Sequence, residues 1–92
     1  MISQPMLIGN GENLDNVISN NFYYSGSADL TQSLSHLPEG VTAAFNLLNF
    51  KPYGGKAYMS QVIVYRLRIF IRFHEGSSGQ NNWTAWKEFA SL

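Results

Sequence analysis

The sequence predicts a mainly β chain, a β-rich α+β fold: one small single antiparallel sheet with a central hairpin and one or two short helical turns. The first observation is the stretch Val62 to His74, which is β-branched or aromatic nearly throughout and holds neither Gly nor Pro. Apolar residues fall on every odd position from Ile63 to Phe73, a period of two that a helix would scatter around its circumference. The second is length. One unbroken strand there would run about 43 Å at roughly 3.3 Å per residue, whereas a compact chain of this size is only about 30 Å across. The stretch must therefore fold back. The third is that the other apolar runs are short and separated by Gly, Pro, Asn and Ser clusters.

Pairing Val64 with Leu67 places Val62 opposite Ile69, Ser60 opposite Ile71 and Tyr58 opposite Phe73. That register predicts a core face of Val62, Ile69, Ile71 and Phe73. The other face, semi-polar, sets Met59, Gln61 and Ile63 against Arg72, Phe70 and Arg68. Tyr65-Arg66 is poor chemistry for a primed two-residue turn, and a four-residue loop would keep the same register. On this reading Ile71→Asp unfolds the chain or costs several kcal/mol.

The elements follow in order. Residues 1–12 read as a tether or an edge segment with a short strand at Met6-Leu7-Ile8, and residues 13–92 as the domain proper. Asn10-Gly11 is a turn. Leu14, Val17 and Ile18 have helical spacing, with Asn13 as N-cap. Phe22-Tyr23-Tyr24 is a short strand stopped by Ser25-Gly26-Ser27. Between Asp29 and Leu37, leucines at helical spacing and a capping Asp29 predict a helix, although Ser, Thr and Pro38 argue equally for a loop pinned by leucines. Leu37-Pro38-Glu39-Gly40 is a turn. Ala43 to Phe50 is a strand with Phe45 and Leu47 on one face and Leu48 and Phe50 on the other. Trp83 to Phe89 is the last strand, which in extended form sends its two indoles to opposite faces, one of them into the core.

Charged residues are 13% of the chain, about half the usual share, which suits a surface partly covered by a partner or by copies of itself. The net charge is zero, so there is no electrostatic footprint for nucleic acid. There is no cysteine, hence no disulfide framework and no thiolate zinc site. No apolar run reaches the length of a membrane-spanning helix. His36 and His74 stand alone and the carboxylates are dispersed, so no catalytic or cofactor constellation is visible and a non-enzymatic protein is expected.

Candidate ligand residues are few. Arg68-x-Phe70-x-Arg72 puts two guanidiniums beside a ring on one face. They form either a platform for carboxylate or sugar, or a pair of internal ion pairs with Glu75, Glu88 or a neighbouring subunit. Tyr53, in the Lys51-Pro52-Tyr53-Gly54-Gly55 break, is the candidate stacking ring.

Several motifs in order resemble the knob domain of phage and R-type pyocin tail fibres. Asn21-Phe22-Tyr23-Tyr24-Ser25-Gly26-Ser27-Ala28 resembles its "G-x-Y-x-x-x-x-A" opening. Leu37-Pro38-Glu39-Gly40 with Phe45-Asn46-Leu47-Leu48 resembles its turn and second strand. Gln61 stands where the family carries a glutamine. Arg68-Ile69-Phe70-Ile71-Arg72 resembles "R-x-Y-x-R", and Trp83-Thr84-Ala85-Trp86-Lys87 resembles "W-S-x-W-K". The resemblance runs from about Leu14 to Phe89 and departs at Asn20-Asn21 and at Tyr65-Arg66. It implies a non-enzymatic module in a virion tail fibre, trimeric in the full fibre, near the end that meets the bacterial surface. The expected partners are other fibre subunits and a bacterial surface glycan or its acidic substituent, with no nucleic acid, membrane insertion or cofactor. The isolated domain, lacking a shaft, is expected to be monomeric. A stand-alone carbohydrate-binding module is the alternative.

Overall fold

The computed structural model describes residues 4–19, 21–52, 57–76 and 82–89. Their β-branched and aromatic runs form one sheet of strands β1 (Met6–Leu7), β2 (Phe22–Ser25), β3 (Phe45–Phe50), β4 (Ser60–Tyr65), β5 (Arg68–Phe73) and β6 (Lys87–Glu88). They lie side by side in chain order. β2 to β6 form an antiparallel meander. β1 departs from the all-antiparallel expectation and pairs with β2 in parallel, Met6 with Tyr23 and Leu7 with Tyr24. A parallel neighbour cannot be reached by a tight turn, so the chain crosses over one face of the sheet between Ile8 and Asn21. That crossover holds the 3-10 turn Leu14–Asn16, capped by the Asn13 side chain, which accepts from the Asp15 amide.

The helix of the second connection is α1, Ala28–Ser33, shorter than the leucine spacing suggested. Ser27 caps it in place of Asp29, its hydroxyl accepting from the Leu30 amide at 3.1 Å. The loop reading holds beyond it, where Leu34 and Leu37 leave the helix and pack on the core. Gly40 closes the Leu37–Gly40 turn at φ 94, a left-handed conformation that glycine adopts without strain. A side chain there would also press on the Arg68 guanidinium, 3.1 Å from the position of a Cβ.

The central hairpin forms where expected, but two residues out of register. Tyr65 faces Arg68, Val64 faces Ile69 and Val62 faces Ile71, with Arg66-Leu67 as the turn. Arg66 takes φ 56, supplying the positive φ that a tight hairpin turn needs. The core side is also the opposite one. Ile63, Tyr65 and Phe70 are buried, together with Phe45, Leu47 and Tyr23. Ile8, Leu14, Val17 and Val41 close over them from the connections. Ile69 and Phe73 are 40% and 36% exposed, and Val62 and Ile71 are half-buried. The expected core quartet thus lies on the outer face. All the covering segments sit on the inner face, because that is where polar side chains of the sheet hold them.

Candidate functional site

Those polar side chains form one row across the sheet. Asn49 on β3 faces Gln61 on β4, and Gln61 faces Arg72 on β5. All three are buried, so each needs a partner. Asn49 Nδ2 donates to the carbonyls of Val17 and Ser19, at 2.7 and 2.9 Å. Gln61 Nε2 donates to those of Leu14 and Val17, at 3.0 and 3.1 Å. Arg72 Nε donates to Gln61 Oε1 at 2.8 Å, and its Nη1 ion-pairs with Asp15 at 2.8 Å. The row therefore adds side-chain donors to carbonyls of the crossover, whose single 3-10 turn leaves most of them without an intrahelical partner. Burial pushes the Arg72 pKa down, while Asp15 opposes the shift.

β6 completes the site. His74 bridges to Trp83 while Ile71 faces Lys87, so three residues lie between Trp83 and Lys87 opposite two between Ile71 and His74. The extra residue has the count of a β-bulge, which reverses the side-chain alternation. Trp83 and Trp86 therefore both turn inward, contrary to the opposite faces expected of an extended strand, and both are half-buried. The Arg72 guanidinium lies 4.1 Å from the Trp83 ring centroid and 4.7 Å from that of Trp86. Trp86 Nε1 donates to the His36 carbonyl at 2.7 Å, tying β6 to the loop after α1. His36 Nδ1 lies 3.4 Å from Asp15 and 2.6 Å from Asn13 Oδ1.

These groups wall an open cavity of about 480 Å³, whose rim is Asp15, His36, Pro38, Glu39, Arg72 and the segment 83–86. Two buried donors of its walls, Arg72 Nη2 and Trp83 Nε1, have no hydrogen-bond partner among the described residues. An orphaned buried donor costs about 1–3 kcal/mol. Both atoms are buried, so neither is open to the cavity itself. Asp15 already balances Arg72, and Glu39 adds negative charge at the rim, so the cavity is no general anion trap.

Of the described residues that the sequence offered as ligand candidates, Arg72 reaches this cavity and Arg68 does not. Arg68 takes the internal-pair alternative. It holds Glu88 with both prongs, at 2.7 and 2.8 Å, and lies 4.9 Å from the Phe70 centroid. Those hydrogen bonds hold the Glu88 pKa below its ordinary value and raise that of Arg68. Tyr53 lies outside the described residues. His74 is fully buried; its Nε2 accepts from the Asn82 amide at 3.0 Å. Sequence reasoning missed Trp83, Trp86 and Asp15 as site residues, because a bulge and a crossover bring them to Arg72. The paired tryptophans were the available signal. Among the described residues, no group of three or more His, Cys, Asp or Glu could hold a metal ion. No family model, curated protein or solved structure matches the chain.

Proposed function

We propose that this chain is a non-enzymatic adhesion module of a phage or tailocin tail fibre, which binds a bacterial surface glycan in the two-tryptophan cavity. The observation that carries the binding reading is the open cavity with two indoles, Trp83 and Trp86, in its wall beside the Arg72 guanidinium. Aromatic walls contact the C–H faces of a sugar ring at little entropic cost. With Asp15 neutralising Arg72, a neutral sugar suits the cavity better than one carrying a free carboxylate. The ordered resemblance from Leu14 to Phe89 supports the fibre context and, with it, a trimeric full-length fibre in the virion. A stand-alone carbohydrate-binding module would use the same cavity. Flanking sequence separates the two, a repetitive shaft in one case and a neighbouring hydrolase in the other.

The test is NMR titration of the chain with N-acetylglucosamine, galacturonate and O-polysaccharide from candidate host bacteria. The Trp83 and Trp86 indole N–H signals should move with the neutral sugar or the polysaccharide. Trp83→Ala should weaken binding at least tenfold while the fold persists by circular dichroism. Shifts confined to other surfaces, with both indoles silent, would remove the cavity from consideration.

A further inference from the structure

A second cavity, of about 580 Å³, opens near the turn of the central hairpin. Its floor is one row across three strands: Tyr24 on β2 faces Asn46 on β3, and Asn46 faces Val64 on β4. These three alternate with the buried Tyr23, Phe45 and Ile63, so they belong to the outer face of the sheet. Arg66 stands at the rim, two residues past Val64. Gly26 leaves the edge of the Tyr24 ring bare, since a Cβ there would sit 3.5 Å from its Cε2. The polar groups of this cavity are unspent. Arg68 and Arg72 are held by Glu88 and Asp15, but no carboxylate pairs with Arg66 among the described residues. Its guanidinium lies 5.2 Å from the Tyr65 ring centroid, a contact that uses its face and leaves its N–H groups free. Neither the exposed Asn46 amide nor the Tyr24 hydroxyl has a hydrogen-bond partner among the described residues. Arg66 also holds φ 56, where Gly, Asn or Asp would be at ease and an arginine is strained. The turn by itself therefore does not call for arginine.

We propose that this cavity binds a small anionic group, carboxylate or phosphate, carried on a ring or short chain. The Arg66 fork can take two oxygens of the anion side by side, which suits a planar guanidinium better than a point charge. The Asn46 amide and the Tyr24 hydroxyl supply further donors from the floor. The Tyr24 ring and Val64 receive the apolar side of the body that carries the anion. No Asp or Glu lines this cavity, so nothing in its walls competes for the guanidinium, whereas Asp15 and Glu39 set the tryptophan cavity against anions. The two cavities thus divide the chemistry, neutral on the inner face and acidic on the outer. A uronic acid and a glycerol phosphate unit both present the group that Arg66 would recognise. The site shares no residue with the tryptophan cavity and does not depend on sugar binding there.

NMR titration of the chain at low salt with galacturonate, glycerol phosphate and, as the neutral control, galactose tests this. At least one of the anions should move the Arg66 Nε–H and Asn46 side-chain amide signals at millimolar concentration, and added salt should weaken the effect. A response to galacturonate alone identifies a sugar acid as the source, and one to glycerol phosphate alone a phosphate-bearing chain. Arg66→Gly relieves the backbone at φ 56, so it should hold or raise the thermal midpoint while weakening anion binding at least tenfold. Arg66→Lys keeps the charge without the fork and should also bind more weakly than the wild type. If Arg66→Gly loses its fold, the lysine variant and the galactose control decide. Because the indoles report on the other cavity, failure of this site leaves Arg66 and Asn46 silent, and failure of the other leaves Trp83 and Trp86 silent. No response of Arg66 to either anion, an equal response to galactose, or anion binding undiminished in the folded variants would overturn the proposal.

Discussion

Gln61 shows how much one side chain can settle. It donates twice to the crossover and accepts from Arg72, so it joins three segments distant in sequence. Gln61→Leu keeps the volume but strands the Arg72 Nε, while the Leu14 and Val17 carbonyls keep the Val17 amide and Asn49. A loss of about 2–4 kcal/mol is expected, measured by urea unfolding. Arg72→Lys keeps the charge and loses the fork. A lysine cannot reach Gln61 and Asp15 together while lying flat between two indoles, so this substitution should destabilise the chain, measured by urea unfolding, and abolish the glycan binding proposed for the cavity. The Arg68–Glu88 pair gives a milder, pH-dependent signature. The folded pKa of Glu88 lies below its unfolded value, so the pair's contribution is complete above the ordinary glutamate range and is lost as pH falls through the lowered value. NMR titration should find Glu88 ionising below its usual range in the wild type and near it in Arg68→Ala.

At the scale of elements, the hairpin separates what a sequence shows from what it withholds. Alternation from Ile63 to Phe73 gave the strands and the fold-back. Both faces of the hairpin are apolar, however, and a count of apolar residues chose the wrong one. The true core face carries Gln61 and Arg72, which look unfit for burial until the crossover supplies their partners. Since those partners lie more than forty residues away in sequence for Gln61, no local pattern could reveal them. The turn misled for a related reason. Arg66 is unsuited to φ 56, yet the pairing of β4 with β5 holds it there. The inversion is testable. Ile63→Asp should unfold the chain, while Ile69→Asp should cost no more than about 1 kcal/mol in the monomer, by thermal denaturation. Ile71, half-buried on the outer face, should fall between them, in place of the collapse its alternation alone implied. The cavity was legible only in its parts: two tryptophans and an arginine were visible, but their meeting depends on one extra residue before Lys87.

For the molecule as a whole, the sheet is built so that its two faces and its two edges behave differently. One face holds a network of buried polar groups and a cavity, and the other holds hydrocarbon. The strands at both margins, Met6–Leu7 and Lys87–Glu88, are only two residues long. A long bare margin would template further chains through its unpaired amides and carbonyls, the route to fibrillar aggregates. Margins this short offer little ladder to extend, and the bulge before Lys87 twists one of them away from a straight docking line. Growth by lateral strand addition is thereby discouraged. With so little margin to extend, the chain should stay clear of thioflavin-positive fibres even at high concentration.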